Sequence, residues 1–534
     1  MNIKIKNILK PIEPVLRDDR QKVRLVFKEA DFEILRSHLL KADRKERAGF
    51  IMLGKNEIDG WLELYAHRLV LPHDEDYYEQ HAAMVEPNPE YVLRTFSNFA
   101  ESGVSGYLHA HSHPFSDRAS FSSVDDHYLP GMRRSLGNYL GMMGKQPESL
   151  FVRLVWGQDE AGFTAECYGT DGSQPVAVDK IKVVGGKGIR TIHCFHAATE
   201  KTDSTGPISE RFQRQVRFLG EDGQHSIQKT RLAICGVGGL GSFVVAGAKG
   251  LGFRDIALID PDIIEESNLN RFQGAGKGDI GKAKVDAIAE AIKQFDPDIK
   301  LKPVQAKVQD KAAREAILDA DFIINCLDSD SARMEVQLLA ARHLKPLLDL
   351  GSGIVLEPGT RTVKEMGGQA ILYYPGGPCL LCQGLDPAEI VSDEIRRVHR
   401  ATGYIQGTDE TPPSVVTINA VMAGLGLQIA ISYLTGFAEA PAYLRYDLLR
   451  NQTAQYSFTR RPECPVCGEH GIEGRGEEVE EMPSKKRPKR VYRGRSLPQA
   501  RTLIIPNLVH SIRQKSVHLF LRWRHRRQNA RGKR

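Results

Sequence analysis

The sequence predicts an α/β chain built as a small α+β domain followed by a doubly wound parallel sheet. Three observations carry this expectation. From about Lys22 to Val184, short β-like apolar runs are interrupted by only three helical stretches. From about Ile208 to His470, strand-like and helix-like segments alternate, the pattern of a parallel sheet with helices on its faces. Gly236-Val-Gly238-Gly239-Leu-Gly241 joins strand to helix at the start of that alternation. A length of 534 residues with 41% hydrophobic residues is too long for one ordinary domain and rich enough in apolar residues for two.

The elements follow in order. KVRLVF is a strand, and EADFEILRSHLLKA a helix by the spacing of its apolar positions. GFIMLG, WLELYAHRLVL, GYLHAHSH, LFVRLVW and FTAECYG are strands, with helices at PEYVLRTFSNFAES and near SVDDHYLPGMRRSL. Residues 1–184 are the first domain. Residues 185–207, a looser stretch with some late strand, form a linker. In the second domain, residues 208–470, RLAICGVGG is a strand entering the glycine turn, LGSFVVAGAKGLG a helix and DIALIDPD a strand. GKAKVDAIAEAIKQF is then a helix and ADFIINCLDSD a third strand. Residues 471–534 are an acidic and then basic tail, expected to be mostly disordered with one short helix near Asn507 to Trp523.

The charge is uneven. Of 73 Lys and Arg, 17 lie between Lys485 and Arg534, where there is no Asp or Glu; the rest carries 56 basic against 67 acidic residues, a net of −11. The overall +6 therefore describes a tail, and is no evidence that the folded body binds nucleic acid. The tail itself, with Tyr492 and Trp523 among its cations, could bind nucleic acid, an anionic membrane or an acidic partner. No unbroken run of 18 apolar residues occurs, so no membrane span is expected, and the N-terminus lacks the apolar core of a signal peptide. Eight cysteines, four of them in two Cys-x-x-Cys pairs, point to metal in a reducing, cytoplasmic compartment rather than to a disulfide framework.

The first chemical constellation is HAHSHPFSDRASFSSVDDH. His111 and His113 share one face of a strand, where two imidazoles can hold one cation, and Asp125 downstream can add a carboxylate oxygen. Two His and one carboxylate, with a position left for water, suit a catalytic zinc ion, and Glu46 is the candidate general base. His109 on the same strand face, and His127, read as bystanders. Glu46-Arg-Ala-Gly49, His111-Ser-His113-Pro114 and Ser122-Ser-Val-Asp125 together resemble the JAMM (Mov34/MPN) metallo-isopeptidase family. That resemblance implies a zinc held by His111, His113 and Asp125, Glu46 as acid/base, and Ser122 as a hydrogen-bond donor to the tetrahedral intermediate. Eight residues separate His113 from Ser122 where the family pattern has seven, which leaves Asp126 as an alternative to Asp125.

The second constellation begins at the glycine turn. A tight turn into a helix N-terminus suits phosphate, and Asp260, ending the next strand 19 residues after Gly241, suits a ribose hydroxyl. A nicotinamide dehydrogenase would fit these facts alone. Arg271, Lys284, Asn268 and the strand-end Asp328 argue instead for a triphosphate with Mg²⁺, because hydride transfer needs none of them. The arrangement is similar to the ThiF/MoeB family, the adenylating fold shared with ubiquitin-activating enzymes, over roughly Glu210 to Gly468. The resemblance implies Asp260 on the ATP ribose, Arg271 and Lys284 on the phosphates with Asn268 nearby, and Asp328 on Mg²⁺. It also implies a homodimer in which Arg214 reaches a nucleotide site, often the partner subunit's.

Cys379-Leu-Leu-Cys382 and Cys464-Pro-Val-Cys467 form the third constellation, a four-thiolate structural zinc clamp. Between the two knuckles there is no cysteine to form a thioester, and of the other four only Cys194 reads as a mobile thiol; Cys167, Cys235 and Cys326 read as core.

Taken together, the resemblances imply a bifunctional enzyme acting on the C-terminus of a ubiquitin-like β-grasp protein. It would use Zn²⁺ for (iso)peptide cleavage and ATP with Mg²⁺ for adenylation, with a conjugating enzyme as a further partner. Two alternatives stand beside it: activation of a sulfur-carrier protein for thiocarboxylate formation, and an antiviral or nucleic-acid-associated scaffold working through the basic tail.

Overall fold

A computed structural model describes residues 22–82, 84–116, 119–143, 149–158, 162–169, 174–194, 207–357, 360–385 and 413–477. Residues 471–477, counted with the tail on sequence, are ordered against the two domains; the tail beyond 477, with the helix expected near Asn507, lies outside the described residues.

The chain opens with β1 (Lys22–Lys28) and α1 (Glu29–Leu39), whose Phe32, Leu35 and Leu39 are buried. β2 (Ala48–Ile58) turns tightly into β3 (Trp61–Val70). A small hairpin follows, β4 (Tyr77–His81) with β5 (Met84–Pro87). α2 (Pro89–Ser102) starts on an Asn88 cap and ends at left-handed Gly103, the two signals that bracket a helix. Then come β6 (Gly106–Ser112), α3 (Ser123–Met142), β7 (Leu150–Trp156) and β8 (Phe163–Gly169). The hairpin of β9 (Val176–Gly185) and β10 (Gly188–His193) carries the ordered sheet nine residues past residue 184, into the stretch read as linker.

These strands form one sheet in the order β1-β3-β2-β6-β7-β8-β9-β10, and a parallel β1–β9 pairing closes it on itself. α1 packs inside this curl, where Phe32 meets both Phe27 and Trp156 edge-on.

The second domain begins with α4 (Gln213–Lys229), kinked at Gly220. It continues through β11 (Arg231–Cys235), α5 (Gly239–Leu251), β12 (Asp255–Ile259), α6 (Lys284–Phe295), β13 (Lys300–Val304), α7 (Lys311–Asp319), β14 (Phe322–Asn325) and α8 (Asp330–Arg342). β15 (Leu347–Leu356), β16 (Val363–Tyr373), α9 (Val416–Thr435), β17 (Tyr443–Asp447) and β18 (Gln452–Tyr456) complete it. The sheet order is β13-β12-β11-β14-β15-β16-β17-β18, parallel from β13 to β15 and antiparallel beyond. Strand order reverses between β11 and β14. In such sheets the ligand crevice lies there, outside the carboxyl ends of the strands.

α9 is long and apolar enough, by length and composition, to cross a membrane. The count of unbroken apolar residues misses it because Asn419, Gln428 and Ser432 interrupt the run. It is instead mostly buried, and its Ile418, Met422 and Ile429 belong to the same core as Val244 of α5 and Leu350 of β15.

The two sheets share a buried seam. Glu63 on β3, 1% exposed, pairs with Arg24 on β1, accepts a hydrogen bond from Tyr65 and lies 3.8 Å from Lys345, which precedes β15. Lys182 on β9 donates to Asp321 at 2.6 Å, and Arg231 at the start of β11 holds both Asp319 and Asp321. Beside this cluster the segment Glu473–Glu477 runs between the domains. The Glu473 carbonyl accepts from His67 of β3, Gly474 and Gly476 donate to Ala341 and Arg342, and Glu477 donates to Lys55 of β2. Gly54 of β2 must be glycine here, since a Cβ would lie 2.3 Å from the Gly474 carbonyl oxygen.

Candidate functional site

The first site forms where β2 and β6 run antiparallel, with Ala48 opposite His111. Their alternation puts His109, His111 and His113 on one face. His113 follows the strand, tied by its backbone N–H to the Trp156 carbonyl. Asp125 is brought in by α3. Ser122 caps that helix and forms a reciprocal box with Asp125, each bonding the other's backbone N–H. The Ser122 hydroxyl also donates to Asp125 Oδ2 at 2.8 Å. In this structure the Ser122 hydroxyl is thus engaged with the Asp125 carboxylate.

His111 Nε2 lies 3.2 Å from His113 Nε2 and 3.1 Å from Asp125 Oδ1, and His113 Nε2 lies 3.5 Å from Asp125 Oδ2. Ligands about 2.05 Å from a tetrahedral zinc sit roughly 3.3 Å apart, so these three residues fit one such ion. Asp126 instead pairs with Arg153 at 2.8 Å, so of the two carboxylates it is Asp125 that stands with His111 and His113.

Glu46 Oε1 is 3.9 Å from His113 Nε2. Burial lifts the Glu46 carboxyl to about 7, with His113 opposing and Asp125 adding to the rise. Burial would also raise Asp125, but hydrogen bonds from His111 and His113 outweigh it and hold this carboxyl far below its usual range. The β4–β5 hairpin, which sequence reasoning missed, fixes Glu46. The Glu46 N–H donates to the His81 carbonyl, and Gln80 donates to the Glu46 carbonyl at 3.1 Å. Its signal was the short alternation in YYEQH. Glu46, His111, His113 and Asp125 open onto a cleft of about 420 Å³ whose walls include Phe115 and Tyr128. Tyr128 reaches across that cleft to Glu86 at 2.6 Å. His109 also lines it, its ring stacked on His111 at 5.7 Å, whereas His127 is exposed.

The second site sits at the carboxyl ends of β11, β12 and β14. Gly236 turns the chain at φ +83°, and a Cβ at Gly241 would lie 1.9 Å from the Gly236 carbonyl, so both glycines are sterically required. Asp260, buried at the end of β12, accepts from the Val237 N–H at 2.8 Å and the Asp262 N–H at 2.9 Å. Its carboxylate is thus locked under the glycine turn, and burial raises its pKa. Lys284 opens α6 and reaches Asp262 at 2.8 Å. Arg271 lies over the N-terminus of α5: its Cγ is 3.2 Å from where a Gly239 Cβ would stand. Asn268 is held by Glu265 in a short 3₁₀ turn and receives the Arg271 N–H on its backbone carbonyl. Asp328 is exposed beyond β14. Arg214 is exposed on the first turn of α4, and among the described contacts nothing brings it to these residues.

Asn419 of α9, which the sequence did not flag, is 2% exposed and accepts from Ser352 at 2.8 Å. Its Nδ2 has no partner and lies 2.7 Å from the Gly239 Cβ position. A buried donor left open beside a helix N-terminus fits a site made for an anion, as a nucleotide phosphate would be.

The four cysteines converge. Cys379 and Cys464 Sγ are 3.5 Å apart, Cys382 and Cys467 Sγ 3.6 Å, and one ligand atom from each of the four lies within 4.8 Å of the others. A tetrahedral zinc thiolate cage has sulfur edges of about 3.8 Å, so the set fits Zn²⁺. Hydrogen bonding from Cys379 pulls the Cys467 thiol below its usual range. Cys194 is buried, and its backbone is tied to Asp179, so the expectation of a mobile thiol there is corrected. Burial pushes the Cys167 and Cys235 thiols up to about 12 and also raises Cys326.

The second domain is thus a mononucleotide-binding, doubly wound sheet with charged side chains gathered at its switch point. Residues 212–466 match the ThiF family and form a ThiF/MoeB-family adenylyltransferase domain. The chain is 24% identical to the SAMP-activating enzyme E1 of Haloferax volcanii over 266 residues, 49% of this chain and 90% of that protein. It is 26% identical to the molybdopterin-synthase adenylyltransferase of Escherichia coli over 263 residues, 48% of this chain and 96% of that one. Against the adenylyltransferase and sulfurtransferase uba4 of Aspergillus clavatus, identity is 30% over 220 residues, 39% of this chain and 42% of that protein. Among solved structures, E. coli MccB with AMPCPP and MccA is similar over 49% of this chain and 75% of that one, at 21% identity and a TM-score of 0.40. The family match begins at residue 212, so the reading of the first domain rests on its site geometry.

Proposed function

We propose that the chain activates the C-terminal carboxylate of a small sulfur-carrier or ubiquitin-like protein by ATP-dependent adenylation. The observation that carries this is the crevice at the carboxyl ends of β11, β12 and β14. There Asp260 sits locked beneath the glycine turn, with Arg271, Lys284 and the open Asn419 amide around the N-terminus of α5. Asp260 would accept from the ribose, and Arg271 and Lys284 would neutralise the triphosphate. Asp328 would take the Mg²⁺ that shields the leaving pyrophosphate. The relatives' names favour a sulfur carrier at least as well as a conjugated modifier. The lack of an exposed thiol among the described residues fits release of the acyl-adenylate to a separate acceptor. The test is ATP–pyrophosphate exchange with candidate β-grasp proteins ending in Gly. Exchange that needs the carrier's terminal carboxylate supports the reading, and exchange with free amino acids but no carrier refutes it. A thiocarboxylate product, seen by mass, would select the sulfur-carrier branch over formation of a new amide.

A second reading concerns the first domain, and the His111–His113–Asp125 spacing favours it. It is a zinc-dependent peptidase or isopeptidase site in which Glu46, held at about 7, moves the proton between water and leaving amine. The ion would activate the water and polarise the carbonyl. Cleavage of a carrier extended beyond its terminal Gly, lost in Glu46→Gln, is the expected result; a chain that binds no metal at His111 excludes it.

A further inference from the structure

The seam between the domains fixes which way each site faces. In the first domain the metal-ligand cluster lies at the Ala48 end of β2, while the seam takes the other end, through Lys55, Gly54 and the paired Glu63. Ala48 to Lys55 is roughly 23 Å along an extended strand. In the second domain the seam takes the amino ends of the parallel strands, through Arg231, Asp321 and Lys345. The nucleotide crevice takes their carboxyl ends, and Arg231 to Gly236 adds roughly 16 Å. The seam therefore lies between the two sites. It is not a hinge: Lys345 with Glu63 and Lys182 with Asp321 pair across the two sheets at buried and half-buried positions, and the Glu473–Glu477 segment is stitched to β2, β3 and the end of α8.

We propose that the two sites are fixed stations facing away from each other, so that a protein terminus processed at one must leave the chain before it enters the other. This rests on the reading of both sites given above. An extended six-residue tail reaches at most about 20 Å, while the strands that carry the sites away from the seam run roughly 23 Å on one side and roughly 16 Å on the other. A carrier held by its body at one site therefore cannot swing its terminus to the other. Cleavage and adenylation on this chain are then successive encounters with free carrier, and mature carrier from any source competes equally for the second.

The geometry is tested on the full chain by dipolar electron paramagnetic resonance. Cu²⁺ is placed at the first site, Mn²⁺ with a non-hydrolysable ATP analogue at the second, and the sample is diluted with unloaded chain so that only pairs within one chain contribute. A Cu–Mn distance beyond about 25 Å is expected, since a six-residue tail spans less than that. A shorter distance with both metals bound overturns the proposal and leaves both site readings standing. A Cu²⁺ signal that survives His111→Ala, or no Mn²⁺–nucleotide binding, overturns the site readings and the proposal with them.

Discussion

Replacing Glu63 by Gln removes the carboxylate that faces both Arg24 and Lys345 at the seam while keeping the side chain's shape. Glu63 is 1% exposed, and Lys345 and Arg24 are 4% exposed, so water cannot take its place. Burial would raise the Glu63 pKa, but Lys345 and Arg24 hold it at about 2, so it is charged at any working pH. Removing one partner of a buried pair leaves an uncompensated charge and costs about 3–5 kcal/mol. For a cooperative unit of 150–250 residues that lowers the melting temperature by roughly 6–20 °C. The assay is melting of the full chain followed by far-ultraviolet circular dichroism and, in parallel, urea unfolding. Glu63→Gln/Lys345→Met should recover part of the loss, because the stranded ammonium is gone. A cost below about 1 kcal/mol, the range of exposed pairs, would refute the view that the seam is dry and welded.

Further outcomes follow from the same structure. Burial pulls Lys345 from 10.5 down to about 8. Between those values the unfolded chain binds more protons than the folded one, so stability should rise with pH across about 8–10.5. Lys345→Met should flatten that slope in pH-dependent urea titrations. Purified protein should hold two zinc ions per chain by atomic emission, one lost in His111→Ala and the other in Cys379→Ser. Asp125→Asn should release the first zinc and Asp126→Asn should retain it, because Asp126 is engaged by Arg153; equal loss in both would reject the ligand assignment. Gly241→Ala drives a methyl into the Gly236 carbonyl, and should abolish nucleotide binding by calorimetry while zinc content at the first site is unchanged.

Much of this was legible because local pattern and tertiary role agree. The alternating runs became β1 to β3 and β6 to β8, and the glycine turn sits where strand meets helix. What was not legible depends on distance in sequence. Asp125 and Asp126 are equivalent in a motif with an extra residue, and only the Ser122 cap rotates one of them inward. Glu63 and Lys345 lie nearly three hundred residues apart, and nothing in the sequence couples them until the two sheets meet. Nothing in the sequence singles out Asn419, and it is the folding of α9 against α5 that carries its amide to the glycine turn. The β4–β5 hairpin is too short and too polar to announce itself, yet it anchors Glu46.

The segment from Glu473 to Glu477 begins six residues after Cys467 and lies against Gly54, more than four hundred residues earlier in the chain. A single methyl at Gly54 would collide with it. The two halves are therefore not interchangeable cassettes. Grafting either one onto a different partner would need matched changes on β2, on β3 and beside the cysteine knuckle, and a chain that diverges in one half is held to compensating change in the other.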